Sequence, residues 1–178
     1  MRTGQTTEMP PSNIFLVGPM GVGKTAVGRQ LARVLGREFI DSDREIERHA
    51  GATVSLIFEL EGESGFRRRE RSMIHRLTRR EGIILATGGG AVLNRKNRAN
   101  LSRRGIVVYL HAPIPRLMER TAGNQNRPLL QTADPYGRLA EIVKERDPLY
   151  RRVADLIVDT DGQPPRHLAN HIARLISQ

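Results

Sequence analysis

One stretch decides the fold of this chain: Gly18-Pro19-Met20-Gly21-Val22-Gly23-Lys24-Thr25. It fits the pattern Gly-x-x-x-x-Gly-Lys-Ser/Thr without a mismatch, between an apolar run at Ile14–Val17 and a helical pattern over 25–35. A loop in this position directs several backbone N–H groups at one point, where the dipole of the following helix adds positive potential. A glycine-rich turn with a chance lysine is the alternative, and the flanking strand and helix disfavour it. The sequence therefore predicts that the chain binds a nucleoside triphosphate with magnesium.

Two side chains of this loop have expected roles in binding phosphate and metal. Lys24 can reach the β- and γ-phosphates, and the Thr25 hydroxyl can bind Mg²⁺. The glycines allow positive φ angles and a close approach of the backbone to phosphate. We expect the nucleotide to contact Gly21, Val22, Gly23, Lys24, Thr25 and Ala26.

Size and composition favour a single domain with an aliphatic core. The chain has 178 residues, of which 38% are apolar and only 4% aromatic, a length that suits one domain better than two. No apolar run is as long as a membrane span. Residues 1–12 are polar, without the apolar segment of a secretory signal, and we expect them to form a disordered tail. Because there is no cysteine, thiolate metal sites are excluded, and we expect a cytoplasmic protein without membrane association.

A net charge of +10 leaves open whether the ligands are nucleic acids or small anions. A basic surface attracts DNA and RNA mainly through their phosphates. The sequence has no zinc-finger spacing, no aromatic RNA-binding signature and no basic low-complexity tail, and its basic clusters at 67–69 and 79–80 lie in helical patterns. Since charge alone identifies a partner only weakly, we expect small-molecule ligands and no nucleic acid.

Segments typical of strands alternate with segments typical of helices, which predicts a parallel sheet flanked by helices. Strands are expected at 13–17, 38–40, 83–86, 106–110 and 156–158. Helices are expected at about 25–35, 43–50, 53–60, 63–81, 94–102, 113–121 and 135–150, and at the end of the chain. The polar stretch 122–133 has the composition of a mobile loop.

Three motifs fall at the carboxyl ends of predicted strands, where open α/β sheets bind their ligands. They are the phosphate loop, Asp41-Ser42-Asp43 and Gly88-Gly89-Gly90, and we expect them to converge. One aspartate could hold a water bound to Mg²⁺ while the other accepts a hydrogen bond from a hydroxyl. An ordinary helix cap is the alternative and, for an isolated Asp-Ser-Asp, the more frequent one. Three consecutive glycines exceed what a tight turn requires and leave a bare backbone that a ligand can approach.

Two further segments place arginines near acidic or mobile positions. Arg67 could bind a carboxylate through its planar guanidinium, with Glu70 orienting an arginine one turn away. Arg127, in the polar loop, could stabilise charge on a transferring phosphoryl group and help to exclude water. A solvent-exposed surface position is the alternative for each arginine taken alone. It is the expectation for Arg68, Arg69 and Arg71.

Taken together, these segments resemble the shikimate kinase family in their order and spacing, over about residues 14–178. Besides the phosphate loop, the Asp-Ser-Asp motif and the glycine triplet, the matching elements are Gly62-Glu63, Phe66-Arg67 with Glu70, Arg127-Pro128-Leu129 and Arg146 to Tyr150. The resemblance implies a three-layer α/β fold of the P-loop NTPases, with a five-stranded parallel sheet in the order 2-3-1-4-5. It also implies a monomeric, single kinase domain with an acceptor-binding segment at 41–72 and a mobile lid at 122–135.

The family's reaction is the transfer of a phosphoryl group from ATP, with Mg²⁺, to the 3-hydroxyl of shikimate, on the route to chorismate and the aromatic amino acids. The resemblance implies Lys24, Asp43 and Arg127 as catalytic residues, and Thr25 and Asp41 beside the metal. It implies that Arg120 and Gln163 lie near adenine. Contacts with shikimate are implied for Asp43, Phe58, Phe66, Arg67, Gly88, Gly89, Gly90 and Arg146.

Two departures from the family pattern and two alternative functions stay open at this point. The third strand ends in Ala86-Thr87 rather than in the aspartate of a standard Walker B element, and Gln163 stands where some members carry arginine. A gluconate kinase, or another small-molecule kinase of the same branch, would share the phosphate loop without needing both Arg67 and Arg146. A P-loop ATPase that binds nucleic acid would need a basic stripe away from the nucleotide.

Overall fold

Five parallel strands form one sheet in the order β2-β3-β1-β4-β5, which confirms the predicted fold class and strand order. This computed structural model describes residues 12–124 and 127–178. Apart from Ser12, the predicted tail lies outside these residues, as do positions 125 and 126 of the predicted lid. The strands are β1 (Asn13–Val17), β2 (Glu38–Asp41), β3 (Ile83–Ala86), β4 (Gly105–His111) and β5 (Leu156–Asp159).

Helices cover both faces of this sheet within the described residues. They are α1 (Lys24–Leu35), α2 (Ser42–Ala50), α3 (Val54–Leu77), α4 (Arg95–Arg104), α5 (Ile114–Thr121), α6 (Pro135–Val153) and α7 (Pro165–Ile176). Short 3-10 turns lie at Ala91–Leu93 and Pro128–Leu130. None of the helices in this part of the chain is long and apolar enough to pass through a bilayer.

Strand β1 divides the apolar interior into two cores because its successive side chains point to opposite faces of the sheet. Ile14 and Leu16 pack in the core that contains α1 and α7. Phe15 and Val17 pack in the other, with α3 and α4. All four side chains are fully buried, and each such burial contributes about 1.5–3 kcal/mol. This central strand is therefore a rigid support for the phosphate loop that follows it.

Helix α3 bends at Gly62, whose φ of 70° and ψ of 179° are not helical. The bend falls between the two helices that the sequence predicts at 53–60 and 63–81. A residue with a Cβ rarely adopts a positive φ, so glycine suits this position. Phe58 before the bend and Phe66 after it line the same pocket.

The prediction that this helical segment reaches Glu81 is wrong, because α3 ends at Leu77. The Thr78 hydroxyl donates to the Ile74 carbonyl at 2.7 Å. The Asn13 side-chain amide then binds the Arg80 carbonyl at 2.6 Å and holds the chain toward β1. The remaining predicted helices and strands are present, and they differ from the structure only at their ends.

Candidate active site

The phosphate loop leaves the carboxyl end of β1 and leads directly into α1. Gly18 has a φ of 145° and Gly23 a φ of 100°, which are conformations that favour glycine. A Cβ at Gly18 would lie only 2.3 Å from the Leu110 carbonyl oxygen, so the loop passes tightly against β4. The Lys24 amine donates to the carbonyls of Gly18 at 2.7 Å and Pro19 at 2.9 Å. Removal from water, followed by the charge of Arg127, lowers the pKa of Lys24 to about 7.

Asp41 uses its two carboxylate oxygens for different partners. Oδ1 accepts from the backbone N–H groups of Asp43 at 3.0 Å and Arg44 at 3.3 Å. Asp41 is therefore the N-terminal cap of α2, as the helix-cap alternative for the Asp-Ser-Asp motif predicts. Oδ2 accepts from the Thr25 hydroxyl at 2.8 Å. The helix-cap interpretation is confirmed for Asp41, and the same side chain lies beside the hydroxyl expected to bind metal.

Asp43 carries a buried oxygen, Oδ1, that has no hydrogen-bond partner among the described residues. Burial first, then the charges of Glu70 and Asp41, raise the pKa of Asp43 to about 7, while Lys24 opposes this shift. A Cβ at Gly88 would lie 2.8 Å from both Asp43 Oδ1 and Glu70 Oε2. The absence of a side chain at Gly88 thus lets the glycine backbone lie against two carboxylates.

Two arginines from different helices approach the glycine triplet. Arg67 of α3 donates to Glu70 at 2.9 Å and to Glu63 at 3.2 Å, which confirms that Glu70 orients an arginine one turn away. Arg146 of α6 is only 4% exposed, and its Nε has no hydrogen-bond partner in the described part of the chain. Burial raises the pKa of Glu70, and the charge of Arg67 opposes the rise. The site therefore holds guanidinium groups with donors still available for an anionic ligand.

The predicted site residues line three adjoining cavities. The first, of about 520 Å³, contains Gly21, Gly23, Lys24, Thr25 and Asp41. The second contains Phe58, Phe66, Arg67, Gly90 and Arg146. The third, of about 250 Å³, contains Val22 and Gln163. Residues shared by the first and second cavities include Asp43, Gly88, Gly89 and Arg127, and residues shared by the first and third include Ala26 and Arg120.

Several residues around these cavities have no role in the sequence prediction. Met20 and Val54 line both the first and the second cavity. Ser42 accepts a hydrogen bond from the Gly88 N–H at 3.1 Å, and Tyr150 donates to the Gly89 carbonyl at 2.5 Å. Both residues lie within motifs named above. Their hydrogen-bond partners are far away in sequence, so the spacing of residues in the motifs does not indicate these bonds. As expected, none of these cavities includes Arg68, Arg69 or Arg71.

A model of one protein family, described as shikimate kinase, matches residues 20–177. The chain belongs to the shikimate kinase family. A shikimate kinase of Nitrosococcus oceani is 57% identical, over 93% of this chain and 87% of that protein. One from Methylococcus capsulatus is 56% identical, over 90% of this chain and 89% of its own length. Family membership makes the chain a kinase with ATP as its co-substrate.

Solved structures agree with this assignment. The shikimate kinase of Acinetobacter baumannii in complex with shikimate superposes with a TM-score of 0.93 at 53% identity, over 94% of this chain and 93% of that one. A gluconokinase from Sinorhizobium meliloti superposes with a TM-score of only 0.56 at 19% identity. The second similarity shows a shared fold and nothing more.

Proposed function

We propose that the chain transfers the γ-phosphoryl group of ATP to the 3-hydroxyl of shikimate, giving shikimate 3-phosphate and ADP on the route to chorismate and the aromatic amino acids. The observation that carries this proposal is the junction of two cavities at Asp43, Gly88, Gly89 and Arg127. One cavity offers a phosphate loop, and the other offers two guanidinium groups. The family assignment and the shikimate complex of the Acinetobacter baumannii relative support it.

We call the first cavity the phosphate cavity and the second the acceptor cavity. The acceptor cavity has the chemistry to select a small hydroxylated acid. Arg67 and Arg146 would bind the carboxylate of the acceptor, since guanidinium groups pair with carboxylates through charge-assisted hydrogen bonds. The rings of Phe58 and Phe66, with centroids 4.9 Å apart, would pack against the carbon ring. A neutral sugar would offer neither guanidinium group the carboxylate that an acid supplies, which disfavours its binding.

The nucleotide would lie across the first and third cavities. Backbone N–H groups of the phosphate loop and the start of α1 would bind the phosphates. Two residues would lie near the base, Arg120 and Gln163. Arg120 donates to the Val22 carbonyl at 3.1 Å.

Thr25 and Asp41 would hold Mg²⁺ in this site, through the hydroxyl and carboxylate oxygens that lie 2.8 Å apart. The described residues contain no cluster of three His, Cys, Asp or Glu side chains. This donor set fits Mg²⁺, which binds kinase sites through one or two protein oxygens and keeps its waters and phosphates. When bound, the ion neutralises charge on the β- and γ-phosphates.

Phosphoryl transfer depends mainly on alignment and charge stabilisation. Lys24 and Arg127 would stabilise the charge on the transferring group, and Arg127 lines both the phosphate and the acceptor cavity. Asp43 would accept a hydrogen bond from the acceptor hydroxyl and orient it. The acceptor hydroxyl passes its proton to the Asp43 carboxylate while the hydroxyl oxygen bonds to phosphorus and ADP leaves. A pKa of Asp43 near 7 suits this transfer at neutral pH.

A coupled ADP-release assay with shikimate, gluconate or single-stranded DNA tests this proposal. We expect saturable ADP release with shikimate alone, and a phosphorus NMR signal from shikimate 3-phosphate. Equal turnover of gluconate would indicate another small-molecule kinase. ATP hydrolysis stimulated by DNA without an acceptor would indicate a nucleic-acid-dependent ATPase. Either result would overturn the proposal.

The proposal includes a single kinase domain that acts as a monomer in the cytoplasm, where ATP is regenerated. It places the acceptor-binding segment at 41–72 and the lid at 122–135, and the position of Arg127 between two cavities supports the lid assignment. Light scattering after size-exclusion chromatography should give a mass near the 20.0 kDa of one chain. A mass of twice that value would refute the monomer.

A further inference from the structure

The glycine triplet presents two backbone N–H groups that bind nothing else in the described part of the chain. The Gly88 N–H donates to the Ser42 hydroxyl, and the Gly88 carbonyl accepts from the Ala91 N–H at 3.1 Å. The N–H groups of Gly89 and Gly90 have no acceptor among residues 12–124 and 127–178. Both glycines line the acceptor cavity, so a ligand there can satisfy these donors.

The direction of each free N–H is set by the carbonyl in the same peptide unit. A peptide unit is planar and trans, so the Gly90 N–H points opposite to the Gly89 carbonyl. That carbonyl accepts a hydrogen bond of 2.5 Å from the Tyr150 hydroxyl. Tyr150 therefore fixes the plane that aims the Gly90 N–H. The Gly88–Ala91 bond fixes the plane that carries the Gly89 N–H in the same way.

Tyr150 is itself held in one position. Its side chain is fully buried, and its ring stacks on Tyr109 with centroids 5.0 Å apart and 29° between the planes. The Tyr109 hydroxyl donates to Asp147 at 2.7 Å and takes no part in the bond from Tyr150 to Gly89. Burial raises the pKa of Tyr150 to about 12, so its hydroxyl keeps the proton that it donates.

The glycine that Tyr150 holds also lies beside Arg146, the second group that faces the acceptor cavity. Arg146 precedes Tyr150 by one turn of α6, and residues four apart lie on one face of a helix. A Cβ at Gly89 would lie 3.6 Å from a terminal nitrogen of Arg146, and the charge of Arg146 lowers the pKa of Tyr150 against the effect of burial. Tyr150 is not among the residues that line the acceptor cavity, whereas Arg146 is.

We infer that Tyr150 is a positioning residue for the acceptor: its hydroxyl fixes the Gly90 N–H relative to the Arg146 guanidinium. The inference rests on the proposed function and adds to it a residue that touches neither substrate. A rigid ring acid has its carboxylate and its hydroxyls at fixed separations, so it binds both groups only when their spacing is fixed too. Without the Tyr150 hydroxyl, the peptide unit of Gly89 and Gly90 has no hydrogen bond within the described residues to fix its orientation.

Tyr150→Phe tests this inference, with Tyr109→Phe as the matched control. Each variant deletes one hydroxyl from the same stacked pair and keeps the ring. We expect Tyr150→Phe to raise the KM for shikimate about tenfold, which corresponds to roughly 1.4 kcal/mol, while kcat and the KM for ATP stay near the wild-type values. Tyr109→Phe should leave the KM for shikimate near wild type, because its hydroxyl bonds Asp147 and not the triplet.

Steady-state kinetics in the coupled assay and calorimetric titration with ADP separate the outcomes. A wild-type KM for shikimate in Tyr150→Phe would overturn the inference, as would an equal rise in Tyr109→Phe. Weakened ADP binding in Tyr150→Phe would show a general structural role and would also overturn it. If the wild type fails to phosphorylate shikimate, the proposed function falls and the inference with it. If the wild type is active and Tyr150→Phe is unchanged, the positioning role alone falls.

Discussion

Replacing Gly90 with alanine is expected to expel Arg67 from the acceptor pocket without disturbing the backbone. Gly90 has a φ of −93° and a ψ of 2°, a conformation open to alanine. A Cβ there would lie 2.3 Å from both terminal nitrogens of Arg67 and 2.4 Å from its Cζ. These atoms form the end of a long flexible side chain. The guanidinium therefore moves, while the loop stays in place.

The size of the effect follows from the bonds that Arg67 would lose. Hydrogen bonds to charged groups contribute about 1.5–3 kcal/mol, so losing the contact with the acceptor carboxylate predicts a roughly 10- to 150-fold rise in the KM for shikimate. Glu70, which is 1% exposed, would lose its partner at 2.9 Å. Leaving a buried polar group unpaired lowers the free energy of unfolding by about 1–3 kcal/mol. The KM for ATP should not change, because Arg67 does not line the phosphate cavity.

A double-mutant cycle in the coupled ADP-release assay checks that the effect passes through Arg67. The KM for shikimate is measured for Gly90→Ala, for Arg67→Ala and for the double variant. If the added methyl group acts by displacing the guanidinium, the double variant should match Arg67→Ala, since the second change has nothing left to remove. Additive effects of the two changes, or a wild-type KM in Gly90→Ala, would refute the reasoning.

Three further predictions concern the nucleotide side and the buried charges. Lys24→Ala should lower kcat by about 10²- to 10³-fold, as removal of a charge-stabilising donor does, with little change in melting temperature. Near-normal turnover would exclude Lys24 from the mechanism. The pKa of Asp43 rises from 3.8 in the unfolded chain to about 7 in the folded chain. The contribution of Asp43 to the free energy of unfolding is therefore complete below pH 3.8 and is lost as the pH rises toward 7. The free energy of unfolding of the wild type relative to Asp43→Asn should therefore fall over that range, by up to roughly 4 kcal/mol, and a pH-independent difference in denaturant titrations would contradict the raised pKa. Gln163→Ala should raise the KM for ATP only about 2- to 10-fold, the loss of one exposed hydrogen bond, and a change in the KM for shikimate instead would place Gln163 elsewhere.

The convergence of the site could be predicted from the sequence because it depends on strand direction. The phosphate loop, Asp43 and the glycine triplet each follow a parallel strand, and the carboxyl ends of such strands share one edge. Arg67 and Arg146 are different, because they lie on helices. Local periodicity gives the face of a helix but not its rotation toward a particular cavity, so only the family resemblance indicated their place.

Contacts between residues distant in sequence explain what could not be predicted. Helix α3 ends at Leu77 where the Asn13 side chain binds the Arg80 carbonyl, and no pattern near Glu81 contains that information. The bonds from Gly88 to Ser42 and from Tyr150 to Gly89 join residues 46 and 61 positions apart. Such bonds depend on the packed fold, and no local pattern around Ser42 or Tyr150 indicates its partner.

The charges of the free site account for its choice of ligand. Lys24 is deprotonated more easily than an ordinary lysine, and Asp43 and Glu70 hold protons more strongly than ordinary carboxyl groups, mainly because burial penalises each charged form. Phosphate oxygens beside Lys24 and a carboxylate beside Arg146 would add charges of opposite sign, whereas Arg67 already pairs with Glu63 and Glu70. With an acceptor that has no carboxylate, only the nucleotide would add negative charge, and Arg146 would gain none. The buried cations of Lys24 and Arg146 therefore favour a nucleotide together with an acid.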